Sequence, residues 1–294
     1  MMRLSRSPYI LLVLSSLIWS GNFVVGRGLR GAVPPISLAF WRWAVALAIL
    51  LPLSWPILRR QWPLLRRNWR LLALNGLLGV AGFNTLLYIA LQSTTATNAL
   101  LIDSTIPVFI ALLSWLFGEG ALTRRQLLGV LVSLAGVITI ICRADVRSLV
   151  SFQANRGDLW VLLAVVCWAL YTVLLRRLPD GAHPLGVLTV MVMVGLLGLA
   201  PFYFWELGQG GRVLLTAPVV VGLAYVGLFA SVLAFIMWNR AVVQVGANRA
   251  GLFVHLMPLF GTILSVLFLG ESFHLFHLSG MALIFSGIYL TTSG

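Results

Sequence analysis

Apolar segments of about 20 residues recur along the whole sequence and are separated by short connections. A segment of that length can cross the hydrocarbon core of a membrane as one α-helix. The composition excludes a soluble globular protein, because 60% of the 294 residues are hydrophobic, 9% are charged and the mean hydropathy is +1.01. The sequence therefore predicts an all-α integral membrane protein with ten transmembrane helices. Their expected ranges are 9–28, 36–58, 69–91, 95–117, 124–142, 157–177, 184–205, 217–239, 247–268 and 274–291.

The first apolar segment follows Arg3 and Arg6, and this arrangement is also found at the start of a cleaved signal peptide. Because the segment has spanning length and equally apolar segments follow it, we interpret it as a retained helix.

All 20 basic residues are arginines, and most of them lie in the connections between apolar segments. This distribution indicates loops at a membrane surface rather than a nucleic-acid-binding patch, so we expect no nucleic-acid partner. Thirteen arginines fall at the amino terminus and in the even-numbered loops, and six fall in the odd-numbered loops. Because cytoplasmic loops carry the excess of basic residues, we expect both termini in the cytoplasm.

The chain resembles itself when it is shifted by 149 to 152 residues. We therefore predict two homologous halves, residues 1–143 and 157–294, joined by a loop at 144–156. Each half holds five expected helices, and this odd number gives the second half the opposite orientation in the membrane. Such inverted repeats recur in secondary transporters, whose site lies at the repeat interface near the bilayer midplane. The matched pairs include Trp19 with Trp168, Pro35 with Pro184, Pro107 with Pro258, Gly129 with Gly280 and Gly136 with Gly287.

Some of these residues also carry a resemblance to a known family. The W-N-R-A stretch from Trp238 to Ala241, Pro258 followed by Gly270-Glu271, and the closing Gly280 and Gly287 resemble an EamA repeat. The chain is thus similar, over residues 9–291, to the drug/metabolite transporter superfamily, whose ten-helix members include bacterial exporters of aromatic amino acids. The resemblance implies that helices 1–4 and 6–9 surround a central cavity, with helices 5 and 10 outside it. The glycines of helices 5 and 10 agree with this, because small residues on one face let helix backbones approach closely.

Polar and aromatic side chains within the apolar segments define a candidate substrate cavity, because polar groups inside a membrane usually face protein or water. The alternative is simple hydrogen bonding between helices. Aromatic rings with N–H or O–H groups suit a small molecule that has an apolar and a polar part, such as an amino acid or a cationic drug. The expected substrate-binding residues are Trp19, Asn22, Asn84, Tyr88, Asn98, Trp168, Tyr171, Trp238 and His255, with Ser231 and Phe235 close to them in the pattern.

Arg42 and Asp103 are an arginine and a carboxylate that lie well inside predicted spans. Helices 2 and 4 enter the membrane from the same side, and each residue lies at a similar depth in its helix. We therefore predict a buried ion pair or a shared polar network, because an unpaired charge there would be costly. The alternative is that Arg42 extends to the interface and Asp103 is protonated.

Pro107 and Pro258 are repeat-related prolines near the middle of long apolar helices. Each removes a helical hydrogen bond and is expected to kink its helix. We predict a gating role for both, one at each side of the membrane. The alternative is a static kink that makes room for the cavity.

The sequence lacks a phosphate-binding G-x-x-x-x-G-K-[ST] loop and the H-E-x-x-H and G-x-S-x-G motifs. We therefore expect no catalysis, no cofactor and no metal, although His274 and His277 have metal-compatible spacing. The function hypothesis is export of aromatic or other neutral amino acids and related metabolites by alternating access. Two alternatives stay open: a transporter of cationic drugs, purines or nucleotide-linked sugars, and a membrane scaffold. The expected partners are a small-molecule substrate and the lipid bilayer. The sequence is compatible with a monomer and does not determine the oligomeric state.

Overall fold

The computed structural model describes residues 7–29, 31–94, 96–118, 120, 122–142, 155–269 and 274–292. These residues form ten helical segments, and the protein is an all-α membrane protein. Eight of the segments are long and apolar enough to span a membrane, and the first segment is a shorter apolar helix. The first five segments are α1 (Pro8–Gly28), α2 (Pro35–Arg67), α3 (Trp69–Ala90), α4 (Ala96–Asp103 and Ile106–Leu116) and α5 (Arg124–Ile141). The others are α6 (Arg156–Arg177), α7 (Pro184–Gly208), α8 (Ala217–Val245), α9 (247–269) and α10 (Leu275–Thr292).

Local sequence signals explain where several helices begin. Pro35 and Pro184 are the first residues of α2 and α7, where the missing N–H of proline costs nothing. Asn155 caps α6 through its side chain, and its backbone N–H bonds to Asp158 in return. Thr123 caps α5 in the same reciprocal way.

Four helices depart from regular α geometry within their length. Gly76–Gly82 in α3 and Val226–Leu233 in α8 form π-helical turns. α4 is interrupted between Asp103 and Ile106. In α9 a 3₁₀ segment, Leu252–His255, separates its first turns from Leu256–Leu269. Such irregular segments often occur at functional sites.

The second helix is longer than expected. The sequence predicted an end at residue 58, but α2 continues to Arg67 and has 33 residues, about 50 Å at 1.5 Å per residue. The hydrocarbon core is only about 30 Å thick, so part of α2 extends beyond it. Leu and Arg in the extra turns are good helix formers in water as well, which explains why the helix does not end with the apolar segment. At its other end, α2 is held by Glu206 of α7, whose carboxylate accepts hydrogen bonds from Ile36 N (3.1 Å) and Ser37 N (2.7 Å).

Glycines bring α5 and α10 into close contact. A Cβ atom on Gly136 would lie 2.6 Å from the carbonyl oxygen of Gly280 and 2.9 Å from the backbone N of Ile284. A Cβ atom on Gly129 would lie 2.7 Å from the carbonyl oxygen of Gly287. The two backbones therefore pack at a distance that only glycine permits, as expected for small residues between membrane helices.

Candidate functional site

Six helices contribute to a cavity in the interior of the bundle. About 390 Å³ of space between its lining side chains is free of protein atoms, and this figure includes space that is open to solvent. It has an aromatic part, a polar part and a few aliphatic side chains. The residues around it are Trp19 and Asn22 of α1, Phe83, Asn84 and Leu87 of α3, Asp103 and Ile106 of α4, Trp168 of α6, Phe235 of α8, and Val254 and Met257 of α9. None of these residues comes from α5 or α10, so that pair lies outside the cavity wall within the described chain.

The aromatic part of the cavity is a cluster of Trp19, Trp168 and Phe235. The Trp19 and Trp168 ring centroids are 5.1 Å apart, and each lies 5.6 Å from that of Phe235. The indole N–H of Trp19 donates to the carbonyl oxygen of Ala230 (2.9 Å), which fixes the orientation of this ring. Because the three rings already contact one another, a ligand ring can pack against them but cannot pass between them in this conformation. We refer to these three residues as the aromatic cluster.

The polar part of the cavity is organised by Arg42 of α2, which is fully buried. Its Nη1 donates to the Oδ1 of Asn84 (2.8 Å), the hydroxyl of Tyr88 (2.7 Å) and the Oδ1 of Asn22 (3.4 Å). Its Nε donates to the hydroxyl of Ser231 (2.9 Å). Asn84 and Tyr88 lie four residues apart on one face of α3, directly after the π-helical turn, so both can reach one guanidinium.

Asp103 ends the first segment of α4 and is also buried. Its Oδ1 has no hydrogen-bond partner among the described residues. A buried polar atom without a partner is costly in a protein interior.

The predicted contact between Arg42 and Asp103 is absent from the hydrogen bonds and ion pairs of the part of the chain described here. The guanidinium instead binds neutral oxygens from α1, α3 and α8. Equal depth in the membrane does not bring two side chains together, because the helices also present them in different directions around the bundle. The two residues are connected only indirectly, since two partners of Arg42, Asn22 and Asn84, line the same cavity as Asp103.

Four of the predicted substrate-binding residues line the cavity: Trp19, Asn22, Asn84 and Trp168. Tyr88 and Trp238 do not line the cavity but contact residues around it. Tyr88 bonds to Arg42, and the Trp238 ring contacts Trp19 with centroids 5.3 Å apart.

The Tyr171 ring contacts that of Trp168, with centroids 5.2 Å apart, and is not part of the cavity lining. Tyr171 donates its hydroxyl to the Oδ1 of Asn239 (2.6 Å). Asn98 is on the first segment of α4, and its side chain lies outside the described part of the structure.

His255 joins three helices and does not line the cavity. Its Nε2 lies 2.8 Å from the carbonyl oxygen of Ser104, and its Nδ1 lies 2.7 Å from the hydroxyl of Ser133. Because a carbonyl only accepts, Nε2 carries a proton, and in the neutral imidazole Nδ1 then accepts from the hydroxyl of Ser133. His255 therefore connects the interruptions of α4 and α9 to α5.

Pro107 and Pro258 lie close to these interruptions. Pro107 is the second residue of the segment Ile106–Leu116, and Pro258 is the third residue of Leu256–Leu269. Proline is tolerated in the first turn of a helix, so each residue marks the place where its helix resumes. Their role in gating remains a prediction.

Sequence reasoning missed the apolar side chains that complete the cavity: Phe83, Leu87, Ile106, Val254 and Met257. In an apolar segment such residues look the same whether they pack against helices, lipid or a cavity, so no signal in the sequence separates them. Among the described residues, no group of three His, Cys, Asp or Glu side chains could hold a metal ion.

A helical membrane protein whose interrupted helices surround a polar and aromatic cavity has the architecture of a secondary transporter. The chain belongs to the EamA-like transporter family, whose model matches residues 6–142 and 155–293. It is 30% identical to an uncharacterized transporter of Archaeoglobus fulgidus, with 99% of each chain covered. It is 24% identical to a Salmonella typhimurium protein named "Probable amino-acid metabolite efflux pump", with 99% of this chain and 96% of that protein covered. A solved crystal structure has the same fold, with a TM-score of 0.79, 21% identity, and coverage of 97% of this chain and 96% of the other.

Proposed function

We propose that this transporter exports aromatic or other neutral amino acids and related metabolites across a bacterial inner membrane. The observation that carries the proposal is the composition of the cavity, which places the aromatic cluster beside the polar groups of Asn22, Asn84 and Asp103. An amino acid has the same two parts, a side chain and the charged ammonium and carboxylate groups. The name of the Salmonella typhimurium relative supports this substrate class.

We propose alternating access as the mechanism. In the described structure contacts between the rings of the aromatic cluster close one side of the cavity, so passage of a substrate through the protein requires a second conformation. The interruptions of α4 and α9, which Pro107 and Pro258 closely follow, are suitable places for such a change. Two ranges matched by the family model, and π-helical turns in both α3 and α8, support a duplicated and inverted chain. Both termini then face the cytoplasm, in agreement with the arginine distribution.

Uptake of a labelled substrate panel into proteoliposomes tests the proposed substrate class. The panel contains aromatic and aliphatic amino acids, a purine, a nucleotide-linked sugar and a cationic drug, each with and without a proton gradient. We expect amino acids to be transported in preference to the other classes. The gradient arm decides between proton exchange and facilitated diffusion. Preferred transport of any other class would contradict the proposal.

Substitution in the aromatic cluster tests whether the cavity is the substrate site. Aromatic ring pairs contribute about 0.5–1.5 kcal/mol each, so Trp168→Ala should raise the KM for an aromatic amino acid by about two- to tenfold. Trp160→Ala is the matched control, because Trp160 lies on the same helix and is exposed at the surface of the bundle. An equal effect of both changes would show that the cavity does not bind the substrate.

Cationic amphipathic drugs are a second candidate class, favoured by one observation, the buried carboxylate of Asp103 in the cavity. The same panel decides between the two classes.

A further inference from the structure

Two unpartnered polar atoms belong to side chains in the wall of the cavity, one a donor and the other an acceptor. The Nδ2 of Asn84 and the Oδ1 of Asp103 are buried, and neither has a hydrogen-bond partner in the described chain. Both residues are more than nine-tenths buried and line the same cavity. Buried polar atoms are nearly always paired, so each of the two requires an explanation.

The orientation of the Asn84 amide follows from its contact with Arg42. A guanidinium can only donate hydrogen bonds, so the atom of Asn84 that lies 2.8 Å from Nη1 must be the oxygen. The NH₂ group of the amide is therefore directed away from Arg42. The positive charge behind Asn84 also favours an anionic group at this end of the cavity.

Asp103 supplies the opposite chemistry. An ionised carboxylate only accepts hydrogen bonds and attracts a cation. It lies on α4, whereas Asn84 and Arg42 lie on α3 and α2, so the donor and the acceptor come from different parts of the wall.

We propose that the cavity binds the zwitterion of an α-amino acid in a single orientation, with its carboxylate at the Asn84 amide and its ammonium group at Asp103. The apolar side chain of the substrate then lies against the aromatic cluster. This inference rests on the proposed function and specifies it, because both charged groups of the amino acid become requirements for binding. A cation alone leaves the Asn84 donor without a partner, and an anion alone leaves Asp103 without one.

Three ligands that share one aromatic ring separate the two requirements: phenylalanine, phenethylamine, which lacks the carboxylate, and 3-phenylpropionate, which lacks the amino group. Their affinities are measured by calorimetry on the full-length protein in lipid nanodiscs. For the wild type we expect phenylalanine to bind about tenfold or more tightly than either analogue.

Two isosteric substitutions assign each requirement to one residue. In Asp103→Asn, phenylalanine should no longer bind more tightly than 3-phenylpropionate. It should still bind more tightly than phenethylamine. Asn84→Asp retains an oxygen for Arg42 and replaces the donor with an acceptor. In this variant, phenylalanine should no longer bind more tightly than phenethylamine. It should still bind more tightly than 3-phenylpropionate. Glu206→Gln is the matched control, since it neutralises a buried carboxylate outside the cavity and should leave all three affinity ratios unchanged.

The outcomes separate this inference from the function on which it rests. Opposite changes of selectivity in the two variants support the orientation. If the wild type binds phenylalanine and both variants weaken all three ligands equally, or change no ratio, the orientation is wrong and the proposed function stands. If the wild-type protein neither binds nor transports any amino acid, the proposed function is overturned together with this inference.

Discussion

Replacing Arg42 with methionine tests the polar network behind the cavity. The guanidinium makes four hydrogen bonds to side-chain oxygens, at 2.7, 2.8, 2.9 and 3.4 Å. Hydrogen bonds to a charged group contribute about 1.5–3 kcal/mol each, so a simple sum would give a loss of roughly 6–12 kcal/mol. The sum is too large, because burying the charge costs several kcal/mol and Arg42→Met removes that cost as well.

The contacts that remain in the variant give a better value for the loss of unfolding free energy. The hydroxyl of Ser231 still donates to the carbonyl oxygen of Val226 (2.8 Å), and that of Tyr88 still donates to Asn22 (3.3 Å). The Oδ1 of Asn84 loses the one partner that the described structure gives it. One unsatisfied buried acceptor costs about 1–3 kcal/mol. We therefore expect Arg42→Met to lower the free energy of unfolding by about 1–3 kcal/mol.

Equilibrium unfolding in mixed detergent and dodecyl sulfate micelles measures this difference. Arg176→Met is the control, because Arg176 is exposed and its Nη1 donates to the carbonyl oxygen of Val243. We expect a change within about 0.5 kcal/mol for that variant. The reasoning about the network would be refuted if Arg42→Met lowered the free energy of unfolding by nearly the full sum of roughly 6–12 kcal/mol. It would also be refuted if the decrease were no larger than that of Arg176→Met.

Three further predictions concern packing, gating and topology. Gly136→Leu should disrupt the contact between α5 and α10 and cost at least about 2 kcal/mol of unfolding free energy, whereas Gly208→Leu, at a position with open space, should not. Pro107→Ala and Pro258→Ala should each slow turnover and keep substrate affinity in transport assays, and unchanged turnover in both would remove the hinge role. Reporter fusions at the two termini should be active in the cytoplasm, and activity confined to the periplasm would show the opposite topology.

The fold was largely predictable from local sequence signals. Apolar segments of spanning length gave the helices, and Pro35 and Pro184 lie at the starts of α2 and α7. The end of α2 was wrong by nine residues, since the prediction was 58 and the helix reaches Arg67. Hydropathy indicates where a helix leaves the membrane, and Leu and Arg can continue the same helix into water.

The candidate site was predictable where polarity distinguishes a residue from its apolar surroundings. Asn22 and Asn84 were identified for this reason, and both line the cavity. His255 carries the same signal, yet both of its ring nitrogens are occupied by contacts between helices. Polarity shows that a side chain avoids lipid, but the partner depends on helix rotation and packing. For the same reason, matching the depths of Arg42 and Asp103 did not predict their partners.

Exchange of amino acids across a membrane tests the central claim most directly. Proteoliposomes that contain the purified protein are loaded with labelled phenylalanine, and its efflux is followed with and without unlabelled phenylalanine outside. An alternating-access transporter with its site in the cavity should release the label faster when external substrate is present, and Trp168→Ala should require a higher external concentration for the same effect. Efflux that does not respond to external amino acid, from proteoliposomes that do transport a cationic drug, would contradict the account.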